Sequence, residues 1–503
     1  MSTSRRQTLR LLRDLVPGRT LWQALIGLAA LLALACVLAR APLNLVAASV
    51  FGVGGAVLLL RRPALGIYAL AIAIPFGSLR TIPLAGYSVS PSQPILAATL
   101  GAAGLKALAT HRMPSARSPI VWTTLALLAV LACSLLRAQD LSAAGSELLK
   151  WIELTLVIVF IQCCTSPDER LGTSAALLLA GLAQGLLGIY QFTFQVGPPG
   201  FVLFGQYMRA YGTFSQPNPY GGYLGLLLPL ALAMVWLYGG HPSGAVRRWR
   251  ERGLWLLALC ALVTMTAGML MSWSRGALLG MLVGLGLVVI SQARRAWPAL
   301  LTLAALVILI SPLWGPLLPM DLLARLDDTV TYLGQDLDAV EVDDANFSVI
   351  ERLAHWQAAW RMFSSSPWAG VGVGQYPVVY PSVALARWRD PLGHAHNYYL
   401  HILAESGLPG LFAYLIWLLV AVLVAYKSVR REQGWPRALS LGALGMLGYL
   451  ATHSVVDNLY VHDMYLLVAI LLGMLPSTLH IGGREASTPG QGPIPDPQRR
   501  TPV

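Results

Sequence analysis

Histidine, asparagine and carboxylate side chains crowd one short stretch, His394-Ala-His396-Asn397-Tyr-Tyr-Leu-His401-Ile-Leu-Ala-Glu405. Imidazole titrates near neutral pH, so such a cluster suits proton transfer or the orientation of a substrate hydroxyl. A helix beginning near Asn397 puts His401 and Glu405, four residues apart, on one face. That pair also has usable zinc-ligand spacing, but no third ligand is obvious and His396 lies almost half a turn from His401. Two arginines stand in comparable settings. Arg209 opens Arg209-Ala-Tyr-Gly212-Thr213-Phe214, with the break Pro217-Asn218-Pro219 just before an apolar run. Either Arg209 snorkels and Asn218 caps the next helix, or both face a ligand. Arg275 sits in Ser272-Trp273-Ser274-Arg275-Gly276, a turn of a few residues between two apolar runs. A cation held so tightly at a membrane edge points to function.

The elements that present these groups are membrane helices. Of the 503 residues, 56% are hydrophobic and 12% charged, against about a quarter charged in soluble domains. The mean hydropathy is +0.62. Apolar runs near 21–40, 43–60, 64–79, 94–109, 119–136, 148–164, 173–192, 220–238, 254–273, 276–292, 296–313, 409–426, 438–456 and 463–479 suit a hydrocarbon slab of about 30 Å. The stretch Pro83 to Pro94 reads as a re-entrant or interfacial piece. The expected fold is therefore an all-α polytopic membrane protein with about 12–14 transmembrane helices. The net charge of +12 does not indicate nucleic acid, because the arginines are dispersed through short loops.

Charge also orients the spans. With the N-terminus inside, the inner loops collect most of the 35 basic residues, among them Arg61-Arg62, Arg247, Arg248, Arg250, Arg252 and Arg294-Arg295. The segment 193–219, the turn at Ser274-Arg275, the loop 314–408 and the turn from His453 to His462 then emerge together on the outer face. The expected organisation is a basic cytoplasmic tail (1–20), N-terminal transmembrane helices (21–192), transmembrane helices with the arginine motifs (193–313), a long outer loop ending in the histidine motif (314–408), C-terminal transmembrane helices (409–480) and a disordered cytoplasmic tail (481–503). The apolar run after the N-terminal arginines is too long and unbroken for a cleaved signal. Cys36, Cys133, Cys163, Cys164 and Cys260 fall in or beside apolar runs and read as buried, inert thiols.

In the long loop, the acidic run from Asp321 to Asp344 lacks cation-loop spacing and reads as a solvated face. A capping box from Ser348 to Glu351 predicts an amphipathic helix on the membrane surface, with Ile350, Leu353, Trp356 and Trp360 as its apolar stripe. Gly370-Val-Gly372-Val-Gly374 reads as a tight turn, since no strand-turn-helix unit surrounds it.

His396-Asn397 followed after nine residues by Gly407-Leu-Pro-Gly410 resembles the signature of the O-antigen ligase and O-antigen polymerase superfamily. The Arg209…Gly-Thr-Phe…Pro-Asn element and Ser274-Arg275-Gly276 are similar to that family's other two signatures, in the expected order and on the expected side. The resemblance covers roughly residues 200–425. It implies a GT-C-like, inverting membrane glycosyltransferase of the bacterial inner membrane with a periplasmic active site, and the alternation of basic loops puts both termini on the cytoplasmic side. Such an enzyme needs no metal and no cofactor. Its implied partners are an undecaprenyl-diphosphate-linked oligosaccharide donor, membrane lipids, and as acceptor either another lipid-linked repeat or lipid A core; no nucleic acid is involved. The resemblance implies His396, Arg275 and Arg209 as catalytic residues and Asn397, Asn218, Arg352, Glu405 and His394 as substrate-binding residues. A span count above twelve leans towards polymerase. A flippase or permease of lipid-linked saccharides is the alternative from another class, and it would carry ionisable groups at mid-membrane. Here those groups gather at one face.

Overall fold

The computed structural model describes Ile26, Leu28 and residues 43–79, 82–84, 87–111, 118–203, 205–238, 245–292, 332, 334–343 and 346–476. The expected tails 1–20 and 481–503, most of the span 21–40, the span 296–313 and the acidic positions Asp321, Asp327, Asp328 and Asp344 lie outside the described residues. Two compact units divide the chain, residues 1–65 and 66–503. In the first, α1 (Leu43–Arg61) is an apolar helix ending in an arginine.

Helix α2 (Ala64–Ala73) runs into a 3-10 turn, Ile74–Phe76. The second unit then continues with α3 (Ser92–Thr110), α4 (Pro119–Cys133), α5 (Leu141–Cys164), α6 (Pro167–Thr193), α7 (Pro217–Tyr238), α8 (Ala245–Ser272) and α9 (Arg275–Gln292). Beyond the outer loop come α10 (Phe347–Ser365), α11 (Tyr376–Val383), α12 (Tyr398–Arg431), α13 (Gly434–His453) and α14 (Met464–Gly473). The apolar runs expected between 43 and 292 and between 409 and 473 are all helical. Six helices among the described residues are long and apolar enough to cross a membrane: Pro119–Arg137, Pro167–Thr193, Pro217–Leu237, Trp249–Ser272, Arg275–Gln292 and Tyr398–Arg431. The protein is all-α and polytopic, with two small hairpins besides: β1 (Ile82–Leu84) against β2 (Tyr87–Val89), and β3 (Val202–Leu203) against β4 (Tyr207–Met208). The first hairpin fills most of the stretch expected to be re-entrant.

Local chemistry sets the helix ends. Ser166 and Glu169 form a reciprocal capping box ahead of α6, with Pro167 at its first position. Asp140 accepts from the Ser142 and Ala143 N–H groups to start α5. At the centre lies α7, apolar on every side, which packs along α13, α8 and α9. Its most apolar window is 78% buried, against 33% for that of α8, so α7 is shielded by protein and α8 keeps a lipid-compatible face.

Two expectations about the loop need correction. No capping box forms at Ser348: α10 begins one residue earlier, after Asn346, whose amide instead exchanges hydrogen bonds with Asp343 in both directions. Nor does the apolar stripe of α10 lie free for a membrane surface. Ile350 and Leu353 are buried with Leu337, Leu385 and Trp388 of the loop, Trp356 is half-buried against the same cluster, and Trp360 is the exposed member. The cysteine expectation also fails. Cys133, Cys163, Cys164 and Cys260 are exposed on their helices, because the outward surface of a membrane span is itself apolar. Cys36 lies outside the described residues.

The glycine run behaves as the tight turn expected. Gly370, Gly372 and Gly374 all have positive φ, and a Cβ on Gly374 would stand 2.5 Å from the Ala143 carbonyl oxygen. Gly407, with φ 63° and ψ −163°, breaks α12 just before Pro409, and the Leu408 N–H turns out to the Pro367 carbonyl. The Gly407-x-x-Gly410 pattern is thus the kink that turns the histidine-bearing turns of α12 into the span behind them.

Candidate active site

Three separate scaffolds hold the site. The first is the segment from Arg209 to Pro217, fixed by two buried glutamines of α6. Gln191 accepts from the Tyr211 and Gly212 N–H groups and donates to the Gly212 carbonyl, and Gln184 accepts from the Thr213 N–H. Thr213 Oγ1 donates to the Pro75 carbonyl, and Phe214 packs against Tyr220 and Tyr223. The Gly-Thr-Phe part of the motif is therefore structural. What it presents is Arg209, whose Nε donates to the Ser272 carbonyl at 2.8 Å and whose Nη2 donates to Asn218 Oδ1 at 3.0 Å. One guanidinium thus links the first scaffold to the second, the turn that carries Trp273, Ser274 and Arg275.

The third scaffold is the loop into α12. His396 adopts φ 48°, a left-handed conformation uncommon outside glycine. Its N–H donates to His394 Nδ1 at 3.2 Å, its carbonyl accepts from Trp356 Nε1 at 3.2 Å, and the Tyr398 N–H reaches the Ser454 carbonyl at 2.8 Å. Strain of this kind, held by bonds on both sides, is concentrated at functional sites.

These scaffolds, α10 and the turn after α13 enclose one pocket of about 340 Å³. Its cationic side chains are Arg209, Arg275 and Arg352, its other polar ones Asn218, Ser274, Ser348 and His453, and its acid Asp457. Trp273, Leu279, Val349, Leu353, Trp356 and Val456 supply apolar wall. The four segments that charge alternation sends to one face thus meet around one cavity. Arg352 donates from Nη1 to the Ser348 carbonyl at 2.8 Å, while its buried Nε has no hydrogen-bond partner.

His396 does not itself line the pocket. It adjoins Asp457, the pocket's acid, with Nδ1 3.5 Å from Oδ1, and both of its buried ring nitrogens lack a hydrogen-bond partner. On the other side of Asp457, His453 Nε2 is 4.0 Å from Oδ2, and its Nδ1 meets the Tyr449 hydroxyl at 2.7 Å. Burial would raise the Asp457 carboxyl, but the His396 side chain beside it, with the His394 and His453 rings, outweighs burial and holds the group well below the usual carboxylate range. Asp457 is accordingly a carboxylate at any physiological pH. Burial first, and then His396, push His355 down to about 4 and His394 down to about 3, so both rings are neutral. Burial raises Glu351, against the pull of His396 and Arg352.

The remaining residues singled out by sequence fall elsewhere. Asn397 Oδ1 accepts from the Leu400 N–H at 3.0 Å, so its amide caps α12. Glu405 is 4% exposed and away from the pocket lining; its two oxygens accept from the Gly374 and Tyr376 N–H groups at 2.8 and 2.9 Å. That carboxylate ties α12 to the glycine turn and is committed to structure. His401 stands 3.7 Å from it. Among the described residues the zinc pairing of these two gains no third ligand. A different trio, His394, His396 and Asp457, places one ligand atom each within 4.8 Å of one another and could hold a cation.

Sequence reasoning missed Asp457, Trp356 and His355 as parts of this site. His453 and Asp457 carried a signal, a His-x3-Asp spacing at the outer end of a span. The other two carried none, since a buried histidine and an interfacial tryptophan are common in any helical loop.

Residues 260–415 match the family model described as O-antigen ligase. The matched segment takes in Arg275, Arg352, His394, His396, Asn397 and Glu405, and leaves Arg209, Asn218 and Asp457 outside it. No curated protein matches the chain. The His396-Asn397…Gly407-x-x-Gly410 pattern falls within the segment that matches the family model, and the two together support a relationship to the O-antigen ligase and polymerase superfamily.

Proposed function

We propose that this protein is a glycosyltransferase of the bacterial inner membrane, which moves glycan from an undecaprenyl-diphosphate-linked donor to an acceptor hydroxyl at the periplasmic face, with both termini cytoplasmic. The observation that carries the reading is the convergence of Arg209, Arg275 and Arg352 on one cavity whose acid, Asp457, pairs with His396. A diphosphate is a poor leaving group unless cations meet the charge that develops on it. Planar guanidinium groups do this well, and do it without supplying a proton.

In the proposed step the acceptor O–H gives its proton to His396, and the oxygen bonds to the anomeric carbon. The bond from that carbon to the diphosphate oxygen breaks, and the leaving electron pair stays on the diphosphate among the arginines. Attack from the face opposite the leaving group inverts the centre. Asp457 stabilises the imidazolium and fixes the ring, the role an acid plays behind a general base. Asn218 holds Arg209 in register, and Arg352 contacts phosphate or sugar from α10. His394 orients His396 through its backbone.

The test is transfer in proteoliposomes, supplying lipid-linked repeat units with and without lipid A core. Ladders from repeats alone would establish a polymerase, and product only with core would establish a ligase. The reading fails if His396→Ala, Arg209→Ala and Arg275→Ala all retain full activity, or if the wild type moves lipid across the bilayer without forming a bond.

A second reading comes from the His394, His396 and Asp457 trio. A divalent cation there would make the site metal-assisted. Loss of transfer on chelation, restored by added zinc, would favour it; transfer indifferent to chelator favours the base.

A further inference from the structure

Three aromatic rings form a line that the proposed chemistry does not use. Phe192 lies in the last turn of α6, Tyr207 is on β4, and Trp273 lines the pocket between the arginine motifs. Phe192 and Tyr207 lie 6.3 Å apart at 5°, and Tyr207 and Trp273 lie 6.3 Å apart at 26°. Both separations fall in the range over which aromatic side chains associate. The line is built firmly. Trp273 has φ 53°, with the Ser274 N–H behind it bonded to Ser272 Oγ. Met208 N–H donates to Gln195 Oε1, and the Ala210 N–H donates to the Met271 carbonyl, which fastens the hairpin to the turn.

The two ends of the line differ in surroundings. At the Phe192 end, Tyr190 and Phe194 are 49% and 67% exposed, the aromatic girdle expected where a span meets the membrane interface. At the Trp273 end stand Arg209 and Arg275. The ladder is largely apolar ring surface, its polar atoms being one phenol O–H and one indole N–H, with Tyr207 40% exposed and the other two rings half-buried. It therefore connects lipid to a cationic cavity along a path with little hydrogen-bonding capacity. A sugar needs polar partners there, whereas an amphiphile with a hydrocarbon chain and a phosphate head matches both ends.

We infer that the Phe192–Tyr207–Trp273 ladder seats the first isoprene units of a polyprenyl diphosphate whose phosphates meet the arginines. The inference rests on the proposed donor, and it adds the part of the donor that these residues read.

The test is binding to the purified full chain, with farnesyl diphosphate and inorganic pyrophosphate as probes. Wild type is expected to bind farnesyl diphosphate at least about tenfold more tightly, since each buried methylene contributes about a factor of four. Tyr207→Ala and Phe192→Ala should each remove about threefold to tenfold of that preference and leave pyrophosphate affinity unchanged. Tyr207→Leu, which keeps apolar bulk, should retain most of it and shows that the hairpin still folds. Equal wild-type affinities, or variants that weaken both probes alike, overturn the inference. So does a loss of affinity for a free disaccharide in the same variants, which would make the ladder a sugar platform. The arms separate the two levels: Arg209→Ala and Arg275→Ala that leave pyrophosphate affinity untouched would sink the diphosphate donor itself.

Discussion

The chain carries two histidine–carboxylate pairs with the same spacing, and only one belongs to the pocket. His401-x3-Glu405 within α12 and His453-x3-Asp457, from the last residue of α13 into the turn after it, each bring a ring and an acid together, at 3.7 and 4.0 Å. In the first, both carboxylate oxygens accept backbone N–H groups from the glycine turn. In the second, one oxygen accepts the neighbouring Asn458 N–H and the same carboxylate faces His396 and the cavity. Spacing alone does not separate a pocket-lining pair from a brace. What separates them is which donors the fold brings to the acid.

The largest effect is expected on the Asp457 side. Asp457→Asn keeps size and removes charge, so turnover should fall by roughly 10² to 10⁴-fold, the contribution of a positioned base. Steady-state transfer against melting temperature checks this, with the fold retained. Glu405→Ala should do the reverse. Two buried N–H groups lose their acceptor at about 1–3 kcal/mol each, so stability falls by a few kcal/mol while activity per folded molecule is kept. If Glu405→Ala instead removed activity from a fully stable protein, the comparison would break.

Asn218→Ala removes the acceptor that registers Arg209. About tenfold in donor KM is expected, from a charge-assisted hydrogen bond contributing about 1.5–3 kcal/mol, with kcat changed less. The smallest effect concerns acid stability. His355 is held down to about 4 from an ordinary value near 6.5, so the unfolded chain binds more protons between those pH values. Stability should be full above about pH 6.5 and decline as pH falls towards 4. Thermal melts of wild type and His355→Gln check this, the variant losing part of the pH dependence.

Much of the scaffold was legible from hydropathy, because a span must be apolar over its length whatever it packs against. Arg209, Asn218 and Arg275 stood out as polar groups at a membrane edge, where such a group is costly, and all three line the pocket. Asp457 was harder to read. Its partner His396 comes from another loop, and only the fold makes them neighbours. Glu405 was misread for the same reason, as its donors, the Gly374 and Tyr376 N–H groups, have no side-chain signature. The α10 stripe pointed to a membrane surface because periodicity reports an apolar face without saying whether lipid or protein covers it.

The measurement that bears most directly on the central claim is release of polyprenyl diphosphate, counted against glycosidic bonds formed, by purified protein given a lipid-diphosphate-linked glycan. The account predicts one diphosphate released per bond by the wild type, and both quantities falling together in Asp457→Asn and in Arg275→Ala. Full, coupled turnover in folded Asp457→Asn would contradict it.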